Sequence, residues 1–484
     1  MYRRTILGQQ KLDIPFGVEL DSANRWVKLA SMMPWDKIEE RYTANFKGPN
    51  GQVAKSGRLA FAALYIQGRL VITDEETVSQ IQENPSMQYF CGFDGYSTEV
   101  PFDSSLMVHF RKRLSAEMMK EITEEAFAEE AKKAALAASK EDSDDDNDGD
   151  DDDGSKPNGK LFIDATCCPS DIHYPTDMHL LNHARELTEI IIDNLHEQLV
   201  RLGVIKPRTY REIARREYMG FVKKRRHTEG ELRNAIRQQL QYVRRNLGSI
   251  AGQVDLGAAL GWLGKVLYKK LLVISELYRQ QKQMYDENTH RIEDRIVSIA
   301  QPHLRPIVRG KEHKPVEFGA KIATALVGGF SFTIKMSYDN FYEAKYLEES
   351  AEEYRRMFGF YPEVIIGDKA YWTNENRRYC KSRGIRLSAP KKGRKTEELK
   401  EAEQKQLYED GCERNAIEGS YGTGKRKYGL GLVMTKLDNT TLTAISFGLF
   451  VGNMERLLRL FALLFFGKLE FIGNCHVARL AHNC

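Results

Sequence analysis

The chain has 484 residues, 42% apolar and 29% charged, with a formal net charge of +4 at neutral pH. That length suits two to four domains with a large core, and the composition is ordinary for a soluble protein. Its seven cysteines, at positions 91, 167, 168, 380, 412, 475 and 484, include no C-x-x-C pair. They exclude a disulfide framework or structural zinc and point to a reducing compartment.

The N-terminal "MYRRTILGQQ" has no apolar signal core, which leads us to expect a cytoplasmic protein. Residues 1–55 mix short apolar and polar pieces. From Ser56 to about Ser139 the periodicity predicts helices, the last opening with a cap at Asp103 or Ser104 and continuing with Leu106, Phe110 and Leu114 at four-residue spacing. Residues 1–137 are expected to form an all-helical DNA-binding domain. Arg111, Lys112 and Arg113 lie off the apolar stripe, as solvated charges able to touch phosphates. The run "EDSDDDNDGDDDDG" (Glu141–Gly154) follows with ten acids; taking them from a net of +4 leaves +14 on the rest. Residues 138–158 read as a disordered acidic linker, first of all a solvated spacer and, as the sharper alternative, a competitor with DNA for a basic surface; the basic remainder suits a polyanionic partner.

"KLFIDATCCPSDI" predicts a strand ending in Asp164, with Cys167 and Cys168 in the core and Asp171 and Asp177 in the turn beyond. Residues 187–299 are expected to be a basic helical insertion. Between Arg201 and Arg245 it has 14 basic residues against 4 acidic ones, densest at Lys223, Lys224, Arg225 and Arg226 and again at Arg244 and Arg245. This favours a phosphate-backbone track. Strands "VEFGAKIATALVGG" and "FSFTIKMSYD" come next, then a helix over 343–358 and a strand "EVIIGD" ending in Asp368. A helix over 373–384, a strand "IRLSAP", a basic loop "KKGRK" and a helix carrying Glu418 follow. Residues 440–467 are strongly apolar but are interrupted by Glu455, Arg456 and Arg459, which fits a buried helix pair better than a membrane span. Residues 159–186 and 300–484 together form the expected catalytic core.

"ERNAIEGSYGTGKRKYGL" contains G-x-x-x-x-G-K, most of a phosphate-binding P-loop. The hydroxyl residue required after the lysine is replaced by Arg426, and the upstream segment is helix-prone rather than an apolar strand. If the stretch is helical instead, Arg414, Glu418 and Lys425, at offsets of four and seven, share one face. A lone aspartate at a strand end is commonly a cap. Two such aspartates with a helical glutamate make a stronger pattern, because strand ends in one sheet converge. Converging carboxylates repel unless divalent metal relieves them, and hard oxygen ligands select Mg2+ or Mn2+. Two such ions about 3.5–4 Å apart serve in-line displacement at phosphorus.

These segments resemble the DDE transposases of bacterial insertion sequences. "LFIDATCCPSDIHYPTDMHLLNHARE" is similar to their first-aspartate region. "VIIGDKAYW", with Asp368 and Tyr371, is similar to the second, "RNAIEGSYGTGKRKYGL" to the third, and "PFDSSLMVHFRKRL" to their N-terminal domain. The resemblance implies an α/β fold: a ribonuclease H-like mixed sheet flanked by helices, with an all-helical N-terminal domain and a helical insertion. It implies a triad of Asp164, Asp368 and Glu418 holding two Mg2+ or Mn2+ ions. Arg414 and Lys425 would contact phosphates of the transposon end, and Tyr371 would pack against flanking DNA. Gly411 stands where many relatives have tyrosine, with Tyr408 a substitute, and Glu413 is a rival acid that lacks the Arg-x-x-x-Glu spacing. The implied partners are double-stranded DNA (terminal inverted repeats and target) and a second copy of the chain, with no membrane. A structure-directed nuclease with the same core, or a DNA-binding protein with a decayed site, are the alternatives.

Overall fold

The computed structural model describes residues 19–46, 53–141, 157–308, 316–391 and 396–481. The acidic run beyond Glu141 and most of the "KKGRK" loop lie outside them. The chain divides into two compact units. One comprises Met1–Pro169, Ala320–Ser337 and Phe341–Cys484; the other comprises Ser170–Gly319 and Tyr338–Asn340.

Among the described residues seven helices come first: α1 (Arg25–Met32), α2 (Trp35–Thr43), α3 (Gly57–Leu70), α4 (Asp74–Glu83), α5 (Pro85–Cys91), α6 (Leu106–Arg113) and α7 (Ala116–Glu141). The caps are local chemistry: the side chains of Asn24, Ser56, Thr73 and Asn84 accept backbone N–H groups at the starts of α1, α3, α4 and α5. Strand β1 (Lys160–Pro169) follows, then α8 (Asp177–Leu199), α9 (Arg211–Lys223), α10 (Glu229–Asp255) and α11 (Gly264–Asp286). The strands β2 (Pro306–Val308), β3 (Val316–Val327) and β4 (Phe330–Ser337) come next, followed by α12 (Leu347–Phe358), β5 (Val364–Ile366), α13 (Asn374–Ser382), β6 (Arg386–Leu387), α14 (Glu397–Lys427) and α15 (Asp438–Ala481).

In the first unit the sheet runs β4-β3-β1-β5-β6. Strands β3 and β4 are antiparallel, whereas β5 is parallel to both β1 and β6. One apolar cluster joins this sheet to the N-terminal helices and to α15: Phe127 of α7 stacks on Phe330 of β4 at 5.6 Å and meets Phe450 of α15 at 5.1 Å. The first ten residues of α3 are all buried, as suits a helix apolar on every side. Arg111 corrects the expectation of a solvated charge. It is 4% exposed, and its guanidinium bonds Asp74 and Gln67, so this cation is paired inside the helical layer. The expected helix pair at 440–467 is one continuous helix, α15. No helix among the described residues is long and apolar enough to cross a membrane.

The β3–β4 hairpin closes through Gly328 and Gly329, because Val327 pairs with Phe330. Both glycines have positive φ, +55° and +81°, as a two-residue turn of this hand requires. A Cβ on Gly328 would stand 2.6 Å from the Ala131 carbonyl oxygen, which is helix backbone and cannot move aside. Gly328→Ala is therefore expected to lower stability by ~1–3 kcal/mol, read as a drop in the urea midpoint at unchanged slope.

The second unit is built on α8, α10 and α11, which bury Leu181, Ile236, Val243, Ile274 and Leu277 among others. Its α8–α10 seam is partly polar. Arg185 is 1% exposed and bonds Glu189 at 2.6 Å and Asn182 at 2.8 Å, while Asn246 donates to Thr188 at 3.0 Å. Thr176 caps α8, and Asp177 accepts from Arg295 at 2.7 Å and Gln281 at 2.8 Å, a structural role.

Candidate active site

The parallel β1–β5 ladder pairs Lys160 with Val364, Leu161 with Ile365 and Phe162 with Ile366. Two residues further along the same register stand Asp164 and Asp368. The 204-residue interval between the two acids is thus the register of two neighbouring strands. Asp368 Oδ1 accepts the Ala370 N–H at 2.8 Å, capping the short turn Lys369–Tyr371. Asp164 Oδ1 accepts the Ala165 N–H at 2.8 Å. Burial is the main cause that pushes Asp164 up to about 6; the neighbouring Asp368 and Glu343 carboxylates add to it, and the Ala165 N–H and the Arg414 charge offset part of it.

Helix α14 lies across the sheet and touches it strand by strand. Asp410 takes a two-pronged ion pair from Arg386 of β6 at 2.7 and 2.9 Å, and Glu413 pairs with Lys160 at the start of β1 at 2.9 Å. The Tyr421 hydroxyl donates to the Asp164 carbonyl at 2.8 Å and pairs with the Thr324 hydroxyl of β3 at 2.7 Å. Ser420 meets Ser331 of β4 at 3.1 Å. Glu413, the rival acid, is therefore occupied at the far end of β1. The helix is unbroken through Gly419, Gly422 and Gly424 to Lys427, so the glycine-rich stretch is not a phosphate-binding loop. Arg414, Glu418 and Lys425 share a helical face, as their spacing predicts.

Tyr421 is on that face too. Glu418 stands four residues after Arg414 and three before Tyr421, two residues that both act on Asp164. Its own side chain is 50% exposed and held by Arg414 at 2.9 Å. Asp164 and Asp368 are thus brought side by side, while the Glu418 carboxylate is bound to a guanidinium. Among the described residues no three histidine, cysteine, aspartate or glutamate side chains are grouped so as to hold a metal ion.

Two participants escape sequence reading. Glu343 opens a short turn after β4 and pairs with Lys321 of β3 at 3.1 Å; no strand-end pattern announces it. Tyr421 had a signal, its spacing of seven from Arg414. Tyr371, expected to pack against flanking DNA, is 2% exposed, and a Cβ on Gly367 would strike its ring, so this glycine lets the ring pack inward. In the second unit, Lys223, Lys224, Arg225, Arg226, Arg244 and Arg245 are all exposed. Lys224 pairs with Glu231, and Arg245 lies 4.6 Å from the Tyr210 ring and 5.7 Å from that of Tyr242.

Two family models match the chain: "Transposase domain (DUF772)" over residues 17–113 and "Transposase DDE domain" over residues 365–455. It is 35% identical over 96 residues to a Rhizobium meliloti protein named "Uncharacterized protein ORF8 in nfe locus". That match covers 20% of this chain and 46% of the relative, so the chain spans about half of that protein's length. No solved structure matches. The second model takes in Asp368, Arg414, Glu418, Tyr421 and Lys425, so the chain is similar to transposases in two separate segments, the later one to their DDE domain.

Proposed function

We propose that the protein cleaves phosphodiester bonds at transposon ends and joins the freed 3′-OH ends to target DNA, at a centre formed by Asp164, Asp368 and Glu418. One observation carries this reading: two carboxylates on adjacent parallel strands, one raised to about 6 by burial and by its neighbour. An enzyme gains nothing from such a pair unless a cation relieves it. The donor set is all carboxylate oxygen, which suits Mg2+ or Mn2+; a pair of such ions would activate the attacking hydroxyl and neutralise the leaving oxygen. Asp164 and Asp368 fit as shared ligands, and Glu418 completes the set once Arg414 releases it. A DNA phosphate is the natural competitor for that guanidinium. Tyr421 fixes the Asp164 backbone, so the carboxylate is held in place before substrate arrives.

The finer fold assignment belongs to the same proposal. An antiparallel hairpin on one side of β1 and parallel strands on the other support a ribonuclease H-like core. On this reading residues 1–137 read the terminal repeat, the insertion over 187–299 tracks phosphates with its exposed Lys and Arg side chains, and two copies hold two ends together. The test is cleavage of an end-bearing duplex with Mg2+ or Mn2+, followed by joining of a pre-cut end into plasmid. Native protein should do both, and Asp368→Asn should lose both by at least ~1000-fold. Cleavage without joining would leave a nuclease, and equal activity in Asp368→Asn would end the proposal.

A further inference from the structure

The charges that interrupt the apolar C-terminal segment have one unexplained member pair. Glu455 is held by Arg69 at 2.6 Å. Arg456, the next residue of α15, and Arg459, one turn on, have no carboxylate partner among the described residues. Arg456 donates through Nη2 to the Gly328 carbonyl at 2.9 Å and lies 5.4 Å from the Phe330 ring centre. Its Nε is buried with no hydrogen-bond partner. Burial, and then the neighbouring charge of Arg459, make its cation less favourable than an ordinary guanidinium. A buried donor without a partner and two like charges without a counter-ion both ask for an anion.

There is room for one. A cavity of about 180 Å³ lies between α14, α15 and the β3–β4 hairpin, lined by both arginines together with Ser331, Ser420, Thr423 and Asn453. Gly419 faces it too, and a Cβ there would meet nothing within 4 Å. The space is smaller than the ~300 Å³ at which small-molecule pockets begin, which suits a single oxyanion rather than a nucleotide. Its α14 wall runs from Ala416 to Gly424.

We propose that this cavity seats a backbone phosphate of the DNA strand, with Arg456 and Arg459 as its positively charged walls. The proposal rests on the DNA-acting reading above for the source of the phosphate; the chemistry it needs is any tetrahedral oxyanion. It also accounts for two cations inside an otherwise apolar helix, which cost stability and have no carboxylate partner among the described residues.

The test measures duplex binding by full-length protein against NaCl concentration for wild type, Arg459→Gln and Arg456→Gln. Each lost phosphate contact should make the slope of log K against log salt shallower by ~0.9. Arg459 is exposed and bonds only the Glu455 carbonyl among described groups, so its variant should fold normally even if loss of the Gly328 contact unfolds the other. Unchanged slope in Arg459→Gln overturns the proposal. A second arm replaces chloride with inorganic phosphate at constant ionic strength and follows the melting temperature. A phosphate-dependent rise in wild type, absent in Arg459→Gln, together with the shallower slope, supports the site. The same rise with an unchanged slope would mark a free-anion site and overturn the DNA assignment. Mg2+-dependent cleavage is measured on the same wild-type preparation. Slope effects without cleavage would keep the phosphate seat and sink the transposition chemistry, whereas cleavage with unchanged slopes would do the reverse.

Discussion

Asp164→Asn should abolish Mg2+-dependent cleavage and, in the absence of metal, make the protein more stable at neutral pH. Both effects follow from one property of the side chain. In the folded state its pKa is about 6, chiefly through burial, against ~3.9 in an unfolded chain. The folded state therefore binds the proton more tightly. Stability contributed by this group is greatest below pH ~4, falls as pH rises toward 6, and stays low above that. Asparagine removes the penalty. After allowance for solvent screening of a partly exposed group, the gain at pH 7.5 should be ~1–2 kcal/mol. The difference between the wild-type and variant melting curves should shrink as pH falls from 7 to 4. Added Mg2+ should reverse the order, since a ligand bound only to the folded wild type stabilises it by mass action. Loss of cleavage should reach ~1000-fold or more, because positioning by the carboxylate and the charge it contributes vanish together. A variant that melts no higher than wild type without metal, at every pH, would show that Asp164 is not the strained acid described here.

That strained pair was the most legible part of the site before any coordinates. Two apolar stretches each running into a lone aspartate needed only to be neighbouring strands for the acids to meet, and the β1–β5 register makes them so, although β1 does not end at Asp164 as expected but runs on to Pro169. The helical face shared by Arg414, Glu418 and Lys425 was legible for a similar reason: spacing along a helix is angle around it. What the glycines cost in helix propensity, about 1 kcal/mol each, is outweighed by the tertiary contacts of α14. Gly424 even admits Leu430 closely. The misses are failures of a one-dimensional reading. Arg111 looks like surface because it lies off the apolar stripe, yet α4 supplies Asp74 from 37 residues away. Tyr371 looks available because it stands three residues after Asp368, yet Gly367 opens the space its ring fills. Glu343 carries no local pattern, since its place near Asp164 is set by the β3 partner Lys321 rather than by its own strand.

The helical unit offers the second large effect. Arg185→Met should destabilise it by ~3–5 kcal/mol, since the change leaves a carboxylate buried and unpaired. Arg185 is 1% exposed and Glu189 6%. The guanidinium is the partner that offsets the burial of Glu189, whose pKa is nevertheless raised by that burial. Without it the carboxylate is taken up as the neutral acid at higher pH than in wild type, so folding of the variant binds a proton. The loss should therefore be largest above neutral pH and shrink as pH falls toward the ordinary carboxylate range. Arg185→Met combined with Glu189→Leu removes both charges and should recover most of the stability, as buried pairs replaced by apolar groups of similar size commonly do. Asn246, which donates to Thr188, would remain to hold the α8–α10 register. Urea unfolding followed by far-ultraviolet circular dichroism, at pH 5 and pH 8, separates these cases. A single variant as stable as the double variant at pH 8 would mean that Glu189 reaches water without its arginine. In that case the polar seam between α8 and α10 would be a hydrated layer rather than a rigid one.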